Sequence, residues 1–81
     1  RQNISQLRAN VKQCEKLMMT LANEKDGIAA EMAKPGFYDG DNADAIARLS
    51  SRLAKIDKSL AEAEQAWLTA EESLAEDEAN G

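Results

Sequence analysis

Apolar residues follow two long runs with alternating spacings of three and four residues. Seen as a seven-residue heptad with Ile4 at position a, the first run fills every a and d position to Met32 except Lys25. The second run begins at Ile46 and leaves no gap to Leu74. This period is that of a coiled-coil helix, whereas a strand would alternate every second residue. The predicted seam consists of Ile4, Leu7, Val11, Cys14, Met18, Leu21, Ile28, Met32, Ile46, Leu49, Leu53, Ile56, Leu60, Ala63, Trp67, Ala70 and Leu74.

A short break separates the two runs. Pro35 removes a backbone donor and biases Lys34 away from the helical region, and Gly36 suits a left-handed cap. Asp41 and Asn42 are both candidate N-caps for the second helix. We therefore predict an all-α fold, a two-helix antiparallel coiled-coil hairpin. Its first helix spans about residues 3–34, its turn 35–42 and its second helix about 43–78.

The distribution of charge favours the same topology. Residues 1–23 are basic, whereas residues 59–81 contain seven acids and no Lys or Arg. An antiparallel hairpin places these segments side by side, with Arg8 facing Glu71 or a Glu one heptad away. Two registers satisfy the seam. One sets Cys14 opposite Trp67, and the other sets Leu7 opposite Trp67; alternation of large and small residues favours the first.

Composition excludes most enzyme classes. The chain has 81 residues and a net charge of -5, with no His and a single Cys, Cys14. It therefore has no His-based triad, no Cys/His zinc site and no internal disulfide. No apolar stretch approaches a membrane span. We expect no catalysis, no metal and no cofactor in this segment, which begins with Arg1 rather than Met and is expected to be a fragment of a longer protein.

Cationic residues of the second helix are the candidate functional group. Arg48, Arg52 and Lys55 follow helical spacing near the turn, Lys58 lies close by, and Lys34 is added from the turn itself. Such a stripe suits contact with phosphates. On the residues alone, a solvated helix face is the simpler interpretation. We expect Phe37 and Tyr38, the aromatic pair of the turn, to fold over the end of the hairpin, with stacking on a nucleobase as the alternative.

The turn and the late tryptophan together resemble a known family. Glu31–Asp39 contains Pro35 and Tyr38, and a Leu ladder then leads to Glu64 and Trp67. This pattern is similar to the C-terminal coiled-coil domain of ABC-F ATPases, the Uup- and YheS-like ATP-binding-cassette proteins without membrane domains. The resemblance covers roughly residues 4–76. Lys34 departs from it, because the family commonly has Asp before the Pro.

The resemblance implies a non-catalytic accessory module. ATP and Mg²⁺ would be bound by cassettes elsewhere in the parent protein, since the chain has no phosphate-binding loop. The implied partners are DNA or ribosomal RNA, and the cassettes of the same protein. The implied location is cytoplasmic, and the expected state is a monomer or a weak dimer.

Two other functions remain open from the sequence. One is the tRNA-contacting C-terminal arm of a valyl-tRNA synthetase, also a helical hairpin with a Phe-bearing turn, although that arm usually lacks the late Trp. The other is a purely structural or dimerisation hairpin.

Overall fold

The computed structural model describes residues 3–80, so Arg1 lies outside the described residues. These residues form two helices, α1 at Ile4–Met32 and α2 at Ala43–Asn80. The helices pack along their length in a rod with extents of 62 × 15 × 14 Å. The predicted all-α hairpin is confirmed.

The N-cap residue of each helix is an asparagine. Asn3 is the N-cap of α1, and its side-chain Oδ1 accepts a hydrogen bond from the backbone N–H of Ser5 at 2.8 Å. The backbone carbonyl of Asn42 accepts the first helical bond of α2, from the N–H of Ile46 at 2.9 Å. Asn42, rather than Asp41, therefore stands at the N-cap position.

The turn begins two residues earlier than the sequence predicts. α1 ends at Met32, and the N–H of Lys34 bonds the carbonyl of Glu31 three residues back, at 3.3 Å. Pro35 explains the early end, because its ring disfavours helical backbone in the preceding residue. Gly36 and Gly40 then have φ values of 81° and 74°, in the left-handed region that glycine tolerates best.

The predicted seam lies between the helices. Every seam residue named from the heptad is buried or half-buried. Those classed as fully buried are Leu7, Val11, Leu21, Ile56, Ala63 and Ala70, with Ile56 the most enclosed at 1% exposed. A hairpin of two helices has no second layer, so each seam residue is covered only by its neighbours and by the facing helix.

Polar contacts across the seam fix its register. Trp67 Nε1 donates to Glu15 Oε2 at 3.1 Å, which places Trp67 level with Cys14, the neighbour of Glu15. Lys25 Nζ donates to Asp57 Oδ1 at 2.6 Å, which places Lys25 in the layer of Ile56. Both contacts match the first of the two predicted registers. The alternative would separate each pair by about 12 Å along the axis, or eight residues of helix.

The end opposite the turn carries the predicted charge contact. Arg8 Nη2 lies 2.9 Å from Glu78 Oε2, and Glu78 is one heptad beyond Glu71. Both side chains are largely exposed, so the pair adds little to stability. It does link the basic start of α1 to the acidic end of α2.

Candidate nucleic-acid interface

The candidate cations divide into paired and unpaired groups. All five side chains, at Lys34, Arg48, Arg52, Lys55 and Lys58, are exposed. Arg48 and Lys55 are seven residues apart and so point in nearly the same direction from α2, with Lys58 on the adjoining position. Exposure alone does not make a phosphate site, because a cation held by a carboxylate is already compensated.

Arg52 belongs to the paired group. Its Nε donates to Glu24 Oε2 at 2.6 Å and its Nη2 donates to Glu24 Oε1 at 2.7 Å. This two-point contact joins the planar guanidinium to the planar carboxylate. The hydrogen bond from Arg52, with its positive charge, holds the pKa of Glu24 below its ordinary value. The same bond raises the pKa of Arg52.

Lys34 is paired as well. Its Nζ lies 2.8 Å from Glu31 Oε2, a contact between neighbouring positions at the end of α1. The sequence placed Arg52 in the stripe because spacing along α2 does not reveal carboxylates on α1. For Lys34 the sequence did contain the signal, since Glu31 stands three residues earlier. Glu24 was the signal that was missed: it stands at heptad position g of α1, the flank that meets position g of α2 in an antiparallel pair.

Arg48, Lys55 and Lys58 form what we call the basic face. Within residues 3–80, none of these three side chains forms an ion pair, which requires a carboxylate oxygen within 4 Å of the cationic nitrogen. Of the nearby acids, Glu24 and Asp57 are occupied by Arg52 and Lys25 respectively, whereas Asp44 and Glu62, each four residues along α2 from a cation of the face, form no ion pair within residues 3–80. The basic face therefore carries three cations, and the cross-helix ion pairs compensate two of the four acids beside it.

The turn presents one aromatic ring and covers the other. Phe37 is half-buried, whereas Tyr38 is 63% exposed, so the prediction that both rings fold over the hairpin end is wrong for Tyr38. The two rings meet edge-to-face, with centroids 5.1 Å apart and planes at 82°. The side-chain amide of Asn42 donates to the Phe37 carbonyl at 2.7 Å and ties the turn to the start of α2. An open loop without periodicity gave no signal of which ring would face out.

A shallow groove runs between the helices away from the turn. Its volume is about 630 Å³, and it is lined by residues of both helices that include Leu7, Cys14, Ala66, Ala70 and Ser73. The small side chains of α2 leave this space beside Cys14, which is half-buried. The groove contains no pair of groups suited to acid–base work. In the described part of the chain, no three His, Cys, Asp or Glu side chains are grouped to hold a metal.

Comparison with known families identifies the class of protein. The family model for the ABC transporter C-terminal domain matches residues 5–72. The chain belongs to that family. Comparisons with curated proteins and with solved structures give no match. Neither described helix is both long and apolar enough to cross a membrane.

Proposed function

We propose that this domain contacts nucleic-acid phosphates through the basic face, as an accessory module of an ATP-binding-cassette protein. The contacting side chains are Arg48, Lys55 and Lys58. Arg52 and Lys34 are left out of the contact set, because each already bonds a carboxylate.

One observation carries the proposal. Two of the acids near the basic face, Glu24 and Asp57, are held by cations that reach across the seam. A phosphate that approaches the middle of the face therefore meets three exposed cations, with the exposed carboxylates Asp44 and Glu62 only at its two ends, although the domain as a whole has a charge of -5. Contact of this kind is weak, independent of base sequence and sensitive to salt, because binding releases counterions from the nucleic acid.

The parent protein completes the proposal. We assign it to the ABC-F group on the turn and Trp67, as the sequence resemblance implies. ATP and Mg²⁺ would then act at cassettes outside this chain, and the hairpin would bring nucleic acid, DNA or ribosomal RNA, to them. A cytoplasmic location follows from that assignment and remains a prediction.

The test compares two charge reversals of equal size. Lys55→Glu/Lys58→Glu alters the basic face, and Lys12→Glu/Lys16→Glu alters exposed lysines in the half of α1 away from the turn. Binding of a labelled 20-base-pair duplex is followed by fluorescence anisotropy between low and moderate salt. For the wild type we expect a log–log salt slope of about -2.7, since three phosphate contacts contribute about -0.9 each.

The two variants separate a local site from general charge. We expect the Lys55/Lys58 variant to lose most of its affinity and the Lys12/Lys16 variant to lose little. Equal losses would mean that net charge, not the basic face, governs binding. Absence of binding by the wild type at low salt would overturn the proposal.

A further inference from the structure

We propose that Tyr38 is a stacking platform for one unpaired base, so that the hairpin prefers single-stranded nucleic acid to duplex. This inference rests on the proposed function: the basic face holds the phosphates, and the ring at the turn takes a base from the same strand.

The ring is exposed and its support is built into the turn. Tyr38 is 63% exposed, while its neighbour Phe37 is half-buried and packs against it edge-to-face at 5.1 Å. Backbone bonds from Phe37 N to Lys34 O and from Asp39 N to Gly36 O, both 3.1 Å, close the turn on either side. A large ring held out of the core by a hydrogen-bonded turn stacks a base with little loss of conformational freedom.

The acidic residues around Tyr38 favour contact of its ring with a base over contact with a phosphate. Asp39 and Asp41 follow Tyr38 in the turn, and Asp44 lies in the first turn of α2. These carboxylates repel phosphate groups, whereas a neutral base with a π-face is accepted by an aromatic ring. The same acids disfavour a duplex lying across the turn, because a duplex brings phosphates of both strands and exposes base faces only at its two ends.

The distances suit a short strand. Arg48 is five residues into α2 and Lys58 fifteen, so they lie about 7.5 Å and 22 Å along the axis from its start. Single-stranded sites on one OB-fold domain, which also combine aromatic rings with cations, cover about 4–16 nucleotides. A strand of about eight nucleotides is therefore long enough to reach from Tyr38 to Lys58.

The experiment uses three probes of one length: a labelled single-stranded 10-mer, the same sequence as a duplex, and a 10-mer with abasic sites throughout. The abasic probe keeps the phosphates and removes every base. Tyr38→Ala removes the ring, and Tyr38→Phe is the matched control that keeps it. Circular dichroism of each variant verifies that the helices are retained.

Tyr38→Ala is expected to weaken binding of the single strand by roughly 5- to 150-fold, the range for loss of one base–aromatic stack. Tyr38→Phe should bind as the wild type does. Neither substitution should change binding of the duplex or the abasic strand. Tyr38→Ala and removal of the bases together form a double-mutant cycle. Because both changes remove the same stacking contact, their effects on the binding free energy should not add.

Three results would overturn the inference, and they differ in whether the proposed function survives. If Tyr38→Ala binds the single strand as tightly as the wild type, while Lys55→Glu/Lys58→Glu loses it, the basic face remains and the stacking platform is rejected. If Tyr38→Ala weakens all three probes equally, the ring acts on something other than a base. Failure of all probes to bind the wild type would reject the proposed function itself.

Discussion

Arg52 of α2 and Glu24 of α1 form a two-point ion pair across the hairpin, with N–O distances of 2.6 and 2.7 Å. The pair joins the helices beside the basic face and sets the local charge there. Removal of one partner should affect the stability of the hairpin and its binding of nucleic acid to different extents.

Arg52→Ala should lower the melting temperature slightly, because both side chains are substantially exposed. It should also weaken binding to duplex, although Arg52 touches no phosphate in our proposal, because Glu24 then becomes an uncompensated charge near Arg48 and Lys55. Arg52→Ala/Glu24→Gln is the control that removes both charges. It should bind nearly as the wild type does, and if it binds as weakly as Arg52→Ala, Arg52 itself contacts phosphate.

The ion pair also predicts a pH dependence. The pKa of Glu24 is lower in the folded hairpin than in the unfolded chain, where it is about 4.3. The stabilisation is therefore fully present above about pH 4.3 and is lost as the pH falls through the lower, folded pKa. Melting temperatures of the wild type and Glu24→Gln, measured from pH 7 to pH 2.5, should converge in that acidic range. All other carboxylates are shared and cancel in the difference, so parallel curves would contradict the prediction.

Lys25→Leu should stabilise the hairpin by about 1 kcal/mol, since a leucine at this a position can pack its apolar side chain onto the layer of Ile56, where the lysine extends its amine to solvent. The lost contact with Asp57 is between exposed atoms and offsets little of this. A gain of this size raises the melting temperature by roughly 4–8 °C in a domain of this length. Lys58→Leu, on the outer face of α2, is the control and should give no such gain; a similar rise in both would place Lys25 outside the seam.

Ile56→Ala should be the most damaging single truncation, because Ile56 is 1% exposed. Loss of a buried isoleucine side chain costs about 2–5 kcal/mol, which is a large share of the stability of a small domain. Leu68→Ala is the matched control: Leu68 is 41% exposed, so its truncation should cost within about 0.5 kcal/mol. Chemical denaturation of both variants provides the comparison, and equal costs would disprove the seam assignment.

The hairpin topology predicts a monomer in solution. Small-angle scattering should give a radius of gyration near the 18.1 Å of the Cα trace, slightly increased by hydration. A parallel dimer with the turn opened into a continuous helix would be about twice as long. Sedimentation at several concentrations distinguishes the two, and a stable dimer with a much larger radius would contradict the topology.

The helices and their seam could be predicted from the sequence because each heptad pattern lies within one continuous segment of the chain. The same spacing assigned Lys25 to position a, where its side chain is exposed and its Nζ reaches Asp57 at 2.6 Å. The pairing of Arg52 with Glu24 was not predicted, because it depends on how far two long side chains reach between helices. The exposure of Tyr38 was not predicted either, because the direction of a ring in the turn depends on two left-handed glycines and on the Asn42 side chain.

The rod is 62 Å long, about four times its width, and the beginning of α1 and the end of α2 lie together at the pole away from Tyr38. Paired helices bend little over such a length. A domain or protein that binds the hairpin at that pole therefore holds one end of a lever. A rotation of a few degrees at the bound end displaces the turn that carries Tyr38 by several ångströms. The basic face, partway along α2, would move less than the turn. A single rotation would therefore displace the basic face and Tyr38 by unequal amounts.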